Sequence, residues 1–221
     1  MLMNIIRSGV FAGLVAGIVT VILQLLFAVP IIAKSELFET GQIVFANNGV
    51  PFVKVSDIVA QMRSIPVIAN TVVATILTCI GFGLILSAGI QLRNTNITVK
   101  QGAVWGIFAF MAFILAPSFG LPPELPGSGA DTVYGRQGWW FLTVLLTIFG
   151  LWNLAFKEKL INIFIGVFLI AFPHIIGSPH PEAYIGPVPP ELSAHFVSIS
   201  LSRSMIMWIL IGMLIPVFSK D

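Results

Sequence analysis

The sequence predicts an all-α integral membrane protein with about six transmembrane helices, and three observations carry that prediction. The first is composition: the chain is 57% hydrophobic and 9% charged, with a mean hydropathy of +1.00, whereas a soluble domain carries about 25% charged residues. So few charges cannot cover a surface that faces water, so the solvent for most of it is the lipid bilayer. The second is run length: apolar stretches approach the roughly 20 residues a spanning helix needs, without the alternation of a barrel strand. The third is that ionisable side chains gather in the links between those stretches. Cys79 is the single cysteine, which excludes an intrachain disulfide and a thiolate metal cage. The net charge of +2 is accounted for by Lys and Arg flanking the spans, so nucleic acid is not an expected partner.

Residues 1–221 read as one polytopic domain with spans near 8–32, 66–90, 102–119, 138–156, 160–176 and 196–218. The first run follows Arg7 and ends in VPIIAK rather than at a small-residue cleavage site, so it is a retained helix. Gly9, Gly13 and Gly17 lie four apart on one of its faces, which admits a second helix at close range. The longest polar segment, Ala33–Ile65, separates it from span two, which opens with Pro66 in its first turn. Arg93 and Lys100 mark the link to span three, and GLPPELPGSGADTVYGRQ the link to span four. Trp139 and Trp140 at the start of span four suit an interfacial aromatic belt. After Lys157–Lys159, span five is short, about 25 Å at 1.5 Å per residue. Span six contains Trp208 and Arg203.

With six spans, both termini share one side. That side carries Arg7, Arg93, Lys100, Lys157, Lys159 and Lys220, so it is expected to be cytoplasmic and the membrane to be the cell membrane. All three histidines and seven of the nine acids fall on the other side. The links after spans three and five, APSFGLPPEL and FPHIIGSPHPE, share an order of proline, glycine, prolines and glutamate, with VPIIAKSE a fainter third version. Three parallel helical-hairpin repeats would explain this; chance likeness between apolar segments is the alternative.

Coordinating groups concentrate in Phe172–Leu192, with six of the fourteen prolines, and just beyond it. His174 ends span five, His180 and Glu182 flank Pro181, and Glu191 and His195 stand four apart, on one face of a helix. Imidazole with carboxylate suits borderline divalent ions such as Co²⁺, Ni²⁺ and Zn²⁺. The prolines would hold such ligands ready before the ion arrives. The competing explanation is a set of amphipathic histidines at a membrane interface. Glu124 stands alone in its loop, as a cap or a ligand; Gln24 and Asn70 are the most polar side chains in the outer halves of spans one and two. They line an ion's way in or hydrogen-bond between helices. Arg203 is expected to snorkel to the surface from about two turns inside span six.

At these residues the chain resembles the CbtA family of cobalt transporter subunits. The motifs are FAGLVAG and LQLLFAVP, then GFGLIL, WGIFAFMAFILAPSFGLPPELPG and RQGWW, then FPHIIGSPHPE, VPPEL and SLS before Trp208, nearly end to end. The resemblance implies a six- or five-helix membrane protein linked to cobalamin biosynthesis and working with a small His-bearing membrane partner, CbtB. It places family roles on Glu124, His174, His180 and Glu191; His195 does not match the pattern. The first outer loop lacks the histidine the family leads one to expect.

The resulting expectation is a transporter subunit, not an enzyme, for uptake of a divalent metal ion. Co²⁺ is the transported ion and there is no resident cofactor. Metal ligands are His174, His180, Glu182, Glu191 and His195; Glu124, Gln24 and Asn70 lie on the ion's path. A homo-oligomer is compatible with this. The rivals are a non-catalytic assembly subunit of a partner transporter and a metal-dependent intramembrane hydrolase. The hydrolase has neither an HExxH helix nor a serine triad in its favour.

Overall fold

In the computed structural model, residues 1–41, 65–93, 97–127, 133–180 and 186–219 are described. All regular structure among them is helical: α1 (Leu2–Glu39), α2 (Ile65–Leu92), α3 (Val99–Ser118), α4 (Val133–Phe156), α5 (Leu160–Ile176) and α6 (Pro190–Ser219). By length and composition, 5 of them can cross a membrane; α5, with 17 residues, is shorter.

Local chemistry explains most boundaries. The hydroxyl of Thr98 accepts from the Gln101 backbone N–H while Gln101 Oε1 accepts from the Thr98 N–H, so α3 starts earlier than the apolar run does. Gly177, at φ 88°, ends α5 in a conformation that disfavours a side chain. α1 continues past the expected end of its span because Leu37 and Phe38 are buried against Val188 and Leu192 near the start of α6. At 38 residues, α1 is about 57 Å long at 1.5 Å per residue, far more than the ~30 Å of bilayer hydrocarbon. Its last turns therefore stand clear of the membrane.

Two helices widen into a π turn ahead of a proline. In α1 the turn is Gln24–Ala28, with Val29 N–H donating to Gln24 O, just before Pro30. In α3 it is Met111–Leu115, with Ala116 N–H donating to Met111 O, just before Pro117. A proline ring clashes with the carbonyl four residues back, and the wider turn relieves that clash without breaking the helix.

The close pairings are α1 with α2 and α6, α3 with α6, and α4 with α5. Glycines sit where backbones meet. A Cβ on Gly83 would lie 2.2 Å from Gly9 O; one on Gly102 would lie 2.1 Å from Gly212 O, and the reverse approach is equally close. At the α4–α5 crossing, Gly150 and Gly166 each bring a would-be Cβ within 2.8 Å of the other's carbonyl oxygen. Of the three hairpins suggested by the repeat, the first is thus a close-packed pair. α6 instead leaves α5 and lies on α3, because Gly102 and Gly106 match Gly212 and the backbone at Trp208. Trp208, fully buried, fills the centre with Phe82 and Phe113 at ring distances of 4.7 and 5.2 Å.

The two ends of the bundle differ. Arg7 Nε donates to Phe218 O at 3.1 Å, so the start of α1 and the end of α6 share one end. Arg93 joins them there, its guanidinium 3.8 Å from the Phe156 ring centroid. The opposite end gathers the end of α1, the link between α3 and α4, the end of α5 and the start of α6. The segment 42–64, with Lys54, Asp57 and Arg63, lies outside the described residues.

Candidate functional site

α5 returns along α4 until Pro173 reaches the level of Trp139, whose indole Nε1 donates to Pro173 O at 3.1 Å. This sets His174 at the loop end. Its ring, half-buried, meets Phe119 and Trp139 edge-on at 6.0 and 5.7 Å. The chain then turns at Gly177, and Ser178 ties it to the end of α3: Ser178 Oγ donates to Gly120 O at 2.9 Å. His180 Nε2 lies 3.2 Å from the same Oγ.

His174, Ser178 and His180 line the mouth of a cleft of about 780 Å³ between α3, α4 and α5. Its walls are mostly apolar, with Met111 and Leu115 from the π turn of α3. Deeper, two turns along α4 from Trp139, lies Thr147, 1% exposed, whose hydroxyl has no hydrogen-bond partner among the described residues.

A second cleft, about 380 Å³, opens between α3, α4 and α6. It is lined by Phe113, Trp140, Glu124, Ser200, Arg203 and Ser204, among others. Glu124 Oε2 is paired with Arg136 Nη2 at 2.8 Å, both side chains partly exposed. Arg203, partly exposed, turns toward α1: its Nη1 donates to Gln24 Oε1, which also accepts from Thr75 Oγ1 at 2.9 Å, and its Nε is buried without a partner among the described residues. Its guanidinium is drawn to the Gln24 amide, a partner that only the packing of α1 on α6 supplies.

The structure therefore brings His174 and His180 to one cleft, and places Glu191 and His195 on the exposed first turns of α6, lining neither cleft. Glu182 lies outside the described residues. No three of His, Cys, Asp and Glu converge on one point among the described residues. Gln24 opens the π turn of α1 and is a hydrogen-bond hub between three helices, whereas Asn70, in α2, is exposed. Ser178, Thr147 and Arg136 were not singled out from the sequence. Ser178 had a signal, lying between two histidines in PHIIGSPHP; Thr147 had none, being one threonine in an apolar helix.

No curated protein and no solved structure matches this chain. The family model described as probable cobalt transporter subunit (CbtA) matches residues 2–220. With that match running through all six helices, the chain belongs to the CbtA family, as a multi-pass membrane transporter subunit.

Proposed function

We propose that this subunit serves uptake of a divalent transition-metal ion across the cell membrane, cobalt first among the candidates, in support of cobalamin synthesis. The supporting observation is the pair of imidazoles, His174 and His180, at the mouth of a single cleft that continues between three helices as far as Thr147. Two neutral imidazoles suit Co²⁺, Ni²⁺ or Zn²⁺ but fill only part of a shell of about four to six ligands. Glu182 follows His180 by two residues and is the first further ligand. Glu191 and His195, one turn apart on α6, form a second capture pair. A small His-bearing partner of the CbtB kind would complete the shell. Glu124, Gln24 and Asn70, expected on the ion's path, line no part of the histidine cleft and have no part in this reading. The termini are cytoplasmic in this reading, and the loop end faces outward. A membrane potential of 100 mV is worth about 2.3 kcal/mol per charge, so a dication gains about 4.6 kcal/mol on moving inward.

The test is cobalt accumulation in cells that depend on this gene, comparing wild type with His174→Ala plus His180→Ala at matched membrane expression. Accumulation falls to background in the double variant. Undiminished accumulation rules out the paired imidazoles as the capture site. A second reading, a non-catalytic assembly subunit, is favoured by the absence of a three-ligand cluster among the described residues. Purified chain that binds no Co²⁺ yet stably holds a partner transporter would select it.

A further inference from the structure

Arg203 poses a problem that metal uptake does not answer. A guanidinium offers five N–H donors and remains charged under all ordinary conditions. Here one donor meets the neutral carbonyl oxygen of Gln24, which Thr75 already shares, and Nε is buried with no partner among the described residues. The side chain is only partly exposed, and a charge partly withdrawn from water is stabilised by an opposite charge beside it. The acid that lines the same cleft, Glu124, is engaged by Arg136 at 2.8 Å. Among the described residues, two guanidiniums and one carboxylate leave this cleft with one uncompensated positive charge.

The cleft has the shape and chemistry to receive the missing charge. Its volume of about 380 Å³ is at the small end of ligand clefts, which run roughly 300–1,000 Å³, and that suits a small oxyanion. Ser200 and Ser204 lie one turn apart on the α6 wall beside Arg203, and Pro123 and Glu124 place the opening at the loop end. A guanidinium fork matches two oxygens of a phosphate or carboxylate group in a bidentate contact.

We propose that the cleft between α3, α4 and α6 is an anion site, in which Arg203 with Ser200 binds a small oxyanion of the phosphate or carboxylate class. The anion comes free from solution or as the headgroup phosphate of a lipid at the opening. Glu124 paired to Arg136 keeps the mouth from repelling it. The site is separate from the histidine cleft and stands whether or not those histidines bind metal.

The experiment uses the full chain, purified into phosphatidylcholine nanodiscs and titrated with sodium phosphate or sodium acetate against sodium chloride at constant ionic strength. The readouts are thermal midpoint and binding of radiolabelled phosphate. A saturable rise in midpoint over chloride is expected, with matching phosphate binding. Arg203→Gln removes both. Arg203→Lys, which keeps the charge and loses the fork, weakens affinity about tenfold, and decides the matter if the glutamine variant does not fold. Glu124→Gln tightens affinity roughly three- to tenfold by removing a nearby negative charge. In parallel, protection seen only in nanodiscs containing phosphatidylglycerol identifies a headgroup as the source. Equal midpoints in phosphate, acetate and chloride in both lipid compositions overturn the proposal, as does unchanged affinity in Arg203→Lys.

Discussion

Replacing Gly212 with alanine tests the close packing of α3 on α6, the two helices that wall the Arg203 cleft. The added Cβ would lie 2.1 Å from Gly102 O and 2.8 Å from Gly106 N. Both are backbone atoms on a facing helix, so no side-chain rotation relieves the contact. Restoring an ordinary separation of about 3.4 Å requires α3 and α6 to part by about 1.3 Å along that line. A gap of 0.5–1 Å already forfeits a quarter to a half of each dispersion well, and overpacking of this kind costs typically 1–3 kcal/mol. Because the α3–α6 pairing sets the walls around Trp208 as well, about 3 kcal/mol is expected. Gly89→Ala is the control: nothing lies within 4 Å of its would-be Cβ, so that variant should keep the stability or raise it by about 0.5–1 kcal/mol, alanine being the better helix former. The assay is reversible unfolding of purified protein in mixed micelles, with free energies taken from midpoint and slope. Equal stability of Gly212→Ala and Gly89→Ala would refute the close α3–α6 crossing.

Gln24→Glu gives Arg203 a carboxylate partner in place of an amide, and it should raise the thermal midpoint while weakening any oxyanion effect on it. Gln24→Leu should lower the midpoint, since it strands both Arg203 and Thr75. Trp139→Phe keeps a ring against His174 but loses the bond to Pro173 O; unfolding measurements should show a loss of about 1 kcal/mol. A double-mutant cycle on Glu124 and Arg136, an accessible pair, should return less than about 1 kcal/mol, shrinking further in high salt.

Much of the fold was legible because apolar length and flanking charge act locally. α5 emerged with its bounds intact, since charged residues precede it and a glycine at positive φ follows it. The sixth span was expected near 196–218, and its helix begins earlier, at Pro190, because proline is well suited to a first turn. The partner of Arg203 was not legible, because Gln24 lies 179 positions away on another helix. The stripe of Gly9, Gly13 and Gly17 announced a close neighbour, but which helix would meet which glycine depends on surfaces brought together only by folding. The histidines were visible as residue types. That His174 and His180 share a cleft while Glu191 and His195 do not follows from the turn at Gly177 and the Ser178 tether, which link Gly120 to a residue 58 positions away.

A π turn amounts to one residue inserted into a regular helix, and each residue rotates the chain by about 100°. Everything in α1 beyond Gln24–Ala28 is therefore phased by that single extra residue. Deleting one residue there would restore regular winding and swing Leu37 and Phe38 a quarter-turn or more away from Val188 and Leu192. Five residues in the middle of the first helix thus set the azimuth at which its far end meets the last one, and an alignment that closes such a gap would misplace every outward contact of α1.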